Sequence, residues 1–188
     1  MMRRKDREMS PEFALQLIDS VPYGVLSMLD KEGEPYGVPL SLVRKEDILY
    51  FHSAKAGKKV EALKEGSTVC ITFVGETQVP QLFDEKELAD FLTKEEKGQT
   101  LISKVFTTEF ESALVQGTVH KVTSEPQQIE AMRLICEKYT PSKMKLFDLA
   151  IRSGLSRTAV YCVKMQQITA KRKKFDRNGE EMKWGRTE

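Results

Sequence analysis

Apolar residues along this chain come in short runs bounded by turn-forming residues, with a few stretches of helical spacing between them. Ser10 followed by Pro11 predicts a helix start, an N-cap and then proline at the first helical position, and Phe13, Leu17 and Ile18 give that helix an apolar face. Tyr23 to Asp30, YGVLSMLD, reads as a strand. The DKEGE turn puts Gly33 where a positive φ is expected, and Pro35 to Arg44, PYGVPLSLVR, is the hairpin partner. Pro39 cannot donate to a ladder, so it marks an edge or a bulge. Ile48 to His52, ILYFH, is the third strand. A short helix from Gly57 to Glu65 follows, with Gly66 as its C′ residue. Thr68 to Gly75, TVCITFVG, is a buried strand.

Residues 76–104 read as a helical insertion. Asp84 to Gly98 spaces Leu88, Phe91 and Leu92 helically, which predicts a peripheral helix with those three turned inward. Phe110 to Val122 is a long strand, and Gly117 within it suggests a bulge or a close backbone approach. Ser124 and Gln127 have capping-box spacing, ahead of a helical stripe of Ile129, Met132, Ile135, Cys136 and Tyr139. PSKMKLFDLAIRSG adds a short helix and TAVYCVKMQQITA the last strand. About six strands joined by hairpins, with no repeating βαβ rhythm, predict a mainly β fold: an antiparallel barrel with peripheral helices. It forms one domain over residues 1–188, with a basic C-terminal tail at 171–188.

Composition narrows the function classes. A chain of 188 residues can bury roughly 70% of its unfolded surface, so it needs no staples. A net charge of +2 excludes a global field for nucleic acid. The KRKK run at Lys171–Lys174 is the local exception, either solvated or facing a small anion. Cys70, Cys136 and Cys162 form no CxxC pair and sit in apolar stretches, as buried thiols in a reducing cytoplasm would. The basic N-terminus lacks the apolar core of a signal peptide. No stretch approaches the roughly 20 apolar residues of a membrane span. The expectation is a cytoplasmic protein without membrane or nucleic-acid partners.

Lys58 and Lys59 stand at a helix start, where a cation is disfavoured by a few tenths to ~1 kcal/mol. The same terminus offers unpaired N–H groups, so an anion site suited to phosphate is one reading; a solvated, lysine-rich helix is the other. It is not a Walker A loop, because Gly57 lacks its glycine partner and Val60 follows Lys59. His52, at the end of a strand beside these lysines, either contacts a ligand, acting as acid or base near neutral pH, or is satisfied by local backbone. His120 reads as an outward strand residue without a carboxylate or cysteine pattern nearby, and no metal site is expected. No GxSxG occurs, and nothing marks Ser27, Ser41 or Ser112 as a nucleophile.

The segment PYGVPLSLVRKEDILYFHSAKAGKKVEAL resembles the FMN-binding split-barrel proteins. More narrowly, it resembles their pyridoxamine-5′-phosphate-oxidase-like branch, which includes nitroimidazole-resistance (Nim-type) proteins. FESALVQGTV and KYTPSK are similar to later blocks of that family, and the resemblance covers residues 8–170. It implies a six-stranded split barrel and a homodimer with FMN at the interface, FAD remaining open. The flavin ring would lie along Val38, Pro39, Leu40 and Ser41. His52, Ser53 and Ala54 would face the flavin and its ribityl chain, and Lys58 and Lys59 the phosphate. The second chain would contribute Ser112 and Gln116. The implied activity is an oxidoreductase passing electrons from a nicotinamide donor to a small organic acceptor, nitroaromatics among them. His52 is the one candidate for an acid–base role. The alternative is a flavin- or haem-binding carrier or sensor without turnover.

Overall fold

The Ser10 hydroxyl accepts a hydrogen bond from the Phe13 N–H, and Pro11 opens α1 (Pro11–Ser20). Gly33 takes φ +84°, and the Asp30 carboxylate accepts from the Glu32 and Glu34 N–H groups. Together they tie the hairpin of β2 (Gly24–Leu29) and β3 (Pro35–Leu40). The computed structural model describes residues 2–92 and 98–187. The remaining elements are β1 (Glu8–Met9), β4 (Val43–Lys45), β5 (Ile48–Ala54), α2 (Lys58–Ala62), β6 (Thr68–Gln78), α3 (Glu85–Asp90), α4 (Gly98–Thr100), β7 (Glu109–Lys121), α5 (Glu125–Tyr139), α6 (Phe147–Gly154) and β8 (Thr158–Lys173).

The strands pair antiparallel in the order β3-β2-β6-β7-β8-β5-β4, with β1 added to β8. β3 and β4 stand at opposite ends of this path, yet only Ser41 and Leu42 separate them in the chain. The two ends of the curled sheet are therefore joined by covalent chain and not by a ladder, which is the split in the barrel. Pro39 sits in terminal strand β3, opposite Val25, where its missing N–H costs least. The register of β7 on β8 shifts between Gln116 and Gly117. A Cβ at Gly117 would stand 2.2 Å from the Lys164 carbonyl oxygen, so the bulge requires glycine.

Leu26, Leu49, Phe51, Ile71, Val115 and Val163 have no solvent exposure, and Phe51 stacks on Tyr161 at 5.3 Å. α1 closes this core with Ala14, Leu17 and Ile18. A second cluster of Val122, Ala131 and Val160 joins α5 to the outer face of the sheet, with Tyr50 and Cys162 packed against it.

Several expectations change. Eight strands replace the six expected among the described residues, because β1 and β4 pair separately. Ser124 makes no side-chain cap; Gln128 instead bonds the Val122 carbonyl. Gly66 has φ +72°, but α2 has already ended at Ala62. In the insertion only Phe91 turns inward, edge-on to Phe83; Leu88 is 39% and Leu92 90% exposed. The expected helix runs on through residues 93–97, which lie outside the described residues. No basic tail begins at 171: β8 runs through Lys173, and Arg172 and Lys173 are buried. The Arg172 guanidinium lies over the Phe13 ring, and the Lys173 amine bonds the Thr107 hydroxyl. The three thiols are half-buried.

Candidate functional site

Alternation along two strands sorts the predicted residues into two rows. On β5, Leu49, Phe51 and Ser53 are buried, while His52 and Ala54 are exposed. On β3, Leu40 is buried and Val38 packs against the core, while Pro39 and, just beyond it, Ser41 are exposed. Pro39, Ser41, His52 and Ala54 therefore reach the surface with their side chains. Val38 is half-buried, and Leu40 and Ser53 turn their side chains inward, so these last two would meet an external ligand mainly through backbone groups.

The two lysines have separate environments. Lys58 Nζ lies 3.0 Å from Asp30 Oδ2 and 5.0 Å from the centre of the Tyr36 ring. Its amine holds the nearly buried Asp30 carboxyl below the usual carboxylate range, with the Glu34 N–H assisting. Lys59 is half-buried and has no ion-pair partner among the described residues; desolvation lowers its pKa. Desolvation, and then the charge of Lys59, lowers the pKa of His52. His52 and Lys59 thus sense one another at the end of β5. α2 holds only five residues, so it sums few peptide dipoles. Burial of Lys59, more than a helix terminus, distinguishes this corner.

Ser112 and Gln116 face outward on β7 and line a groove of about 710 Å³ with Phe110, Leu114, Gln167 and Thr169. Within one chain they do not join His52. Gln116 pairs with Gln167 and His52 with Val160 along β8, about 23 Å apart at ~3.3 Å per residue.

Asp30 and Tyr36, which engage Lys58, were not singled out in the sequence, and only their place at a hairpin end hinted at a role. The reading of His120 also changes: its Nδ1 lies 2.6 Å from Glu65 Oε1 and its Nε2 3.2 Å from the Thr118 hydroxyl. Among the described residues no group of three or more His, Cys, Asp or Glu is placed to hold a metal ion. No described helix is long and apolar enough to cross a membrane.

A family model described as pyridoxamine 5′-phosphate oxidase matches residues 10–172. No curated protein matches the chain. Among solved structures, the chain is similar to a candidate 5-nitroimidazole antibiotic resistance protein from Bacteroides thetaiotaomicron. That match has TM-score 0.63 and 24% identity, and covers 86% of this chain and 83% of the other. It is also similar to an FAD and heme binding protein from Mycobacterium smegmatis (TM-score 0.67, 16% identity, 89% and 73% covered). A third likeness is to the flavocytochrome Anf3 from Azotobacter vinelandii (TM-score 0.62, 17% identity, 88% and 68% covered). At these identities the likenesses show a shared fold.

Proposed function

The chain belongs to the pyridoxamine 5′-phosphate oxidase family, and from that premise we propose that it binds a flavin, FMN in the first place, and passes electrons from a nicotinamide donor to a small organic acceptor. The observation that carries this reading is Lys59. A half-buried ammonium without an acidic partner among the described residues is costly to keep, and a nucleotide phosphate would compensate it. Lys58, already engaged by Asp30, serves that phosphate from the rim.

The residues present fit such a cofactor. β3 ends the hydrogen-bonded path, so its outer backbone N–H and C=O groups are free to meet the polar edge of a ring. Pro39 and Ser41 flank that edge. Desolvation and the charge of Lys59 favour the neutral imidazole of His52, the form that can both donate and accept a hydrogen bond with a ribityl hydroxyl. A bound flavin supplies the hydride and single-electron chemistry; the protein supplies binding, orientation and electrostatics. Ser112 and Gln116 of the partner subunit would complete the site in a homodimer. This agrees with their separation from His52 within one chain. The acceptor class follows the likeness to a candidate nitroimidazole resistance protein, and nitroaromatics are the first to test.

A carrier that binds flavin or haem without turnover is the second reading, favoured by the likeness to an FAD and heme binding protein. One experiment separates the two. The purified protein is titrated with FMN, FAD and haem, then reduced anaerobically with NADH or NADPH and exposed to a nitroimidazole. Flavin bleaching that recovers with the acceptor supports the oxidoreductase. Stable binding without that cycle selects the carrier, and no flavin binding at micromolar concentration overturns both flavin readings.

A further inference from the structure

Beyond the strip of Pro39, Ser41, His52 and Ala54, the helical side of the molecule contains a second void, which meets the strip at Thr158, the strand neighbour of Ala54. A cavity of about 330 Å³ lies among α5, α6 and the turn between them, walled mainly by Met132, Cys136, Met144, Phe147, Ile151 and Leu155. Of the wall only Phe147 is buried, so the space is a cleft open to solvent on one side. Gly154 forms part of the wall, and a Cβ there would meet nothing within 4 Å. The volume falls at the lower end of the ~300–1,000 Å³ usual for small-molecule sites.

The polar groups of the wall define what fits. Thr140 and Thr158 donate their hydroxyl protons to the Cys136 and Gly154 carbonyls, so neither offers a donor to an anion. Lys143 is the one charged residue of this lining, with no carboxylate beside it in the wall. A neighbouring groove of about 620 Å³ shares Ile151, Leu155 and Thr158 with the cavity and adds Lys55, Lys121 and Arg152 against the single acid Glu125. The charged side chains lining these two adjoining spaces are thus mostly cationic, Lys143, Lys55, Lys121 and Arg152 against Glu125, which favours an anionic guest.

We propose that the cavity between α5 and α6 binds a small amphipathic carboxylate, with its apolar chain in the void and its carboxylate on Lys143. The cavity shares no residue with the flavin strip, although its wall reaches the strip at Thr158, the cross-strand partner of Ala54.

The test uses the full chain, octanoate and octan-1-ol as calorimetric titrants, and Cys136 as reporter. One octanoate should bind per chain, at least tenfold more tightly than octan-1-ol, and should slow Cys136 alkylation by iodoacetamide at least fivefold, read by mass spectrometry. Gly154→Leu, whose Cβ would meet nothing within 4 Å and whose side chain would occupy the void, should abolish both effects. Lys143→Gln should weaken octanoate about tenfold while leaving octan-1-ol unchanged. Both variants should keep wild-type FMN affinity. Ala150→Leu, on the same wall, gives the decision if Gly154→Leu does not fold. Octanoate affinity unchanged by filling the void, unprotected Cys136, or displacement of octanoate by FMN would each overturn the proposal. Loss of FMN binding alone would bear only on the flavin reading.

Discussion

The Lys58 amine lies 3.0 Å from the Asp30 carboxylate, and this ion pair gives different tasks to two lysines that are neighbours in sequence. Lys58 is drawn to the β2–β3 turn, while Lys59 is left half-buried beside His52.

Lys59→Ala should therefore cost more FMN affinity than Lys58→Ala. A hydrogen bond between charged groups contributes roughly 1.5–3 kcal/mol, so loss of Lys59 should weaken FMN about tenfold to a hundredfold. Loss of the exposed Lys58 should cost less than about fivefold, as for other surface ion pairs. Riboflavin, which lacks the phosphate, should bind both variants and the wild type alike. Fluorescence titrations with both flavins read this directly, and an undiminished preference for FMN in Lys59→Ala would place the phosphate elsewhere.

His52 makes acid stability testable. Its folded pKa is lowered, first by desolvation and then by Lys59, so the unfolded chain binds the proton more readily. Stability is then lost as pH falls below about 6.5, the unfolded value, towards the lower folded value, and is unaffected above it. His52→Gln should flatten that stretch of the curve. Urea midpoints between pH 8 and 5 for both proteins check it; parallel curves would remove His52 from the account.

Gly117→Val should disrupt the β7–β8 bulge, because its Cβ would stand 2.2 Å from the Lys164 backbone oxygen. Overpacking typically costs about 1–3 kcal/mol, and a rigid backbone partner puts this site at the upper end. Denaturant unfolding should show a lower midpoint with an unchanged slope; a midpoint equal to wild type would mean that the strands part freely here.

Leu29, Val74 and Leu114 are 62%, 50% and 41% exposed on the outer face of β2, β6 and β7. Thr72 pairs with Val25 on one side and with Leu114 on the other, which places Leu114 on the same face as Pro39. If this face meets a second copy, Leu114→Lys should turn a dimeric scattering mass into a monomeric one and weaken FMN together with it. A dimer that survives this substitution, with flavin still bound, would move the interface to another face.

Local signals carried much of the fold in the sequence. The Ser10–Pro11 start, the Gly33 turn, Pro39 on a terminal strand and the Gly117 bulge all depend on atoms a few residues apart. The conformational limits of proline and glycine therefore announce them. The stretch from His52 to Lys59 stood out for the same reason, as cations and a histidine gathered at one strand end.

Tertiary structure decided what depends on contacts distant in sequence. Which of Val38, Pro39, Leu40 and Ser41 face outward follows from strand register, since a shift of one residue exchanges the two faces. The partner of Lys58 lies across a hairpin turn, and that of His120 lies 55 residues away. Arg172 and Lys173 looked like a solvated basic run, yet long β8 carries them under the packing of Phe13 and Thr107. The sequence determined a split-barrel chain with a cationic corner at the end of β5. Only the folded sheet decided that Lys59 is half-buried there without a carboxylate partner among the described residues, because burial and pairing are set by residues that folding alone brings together.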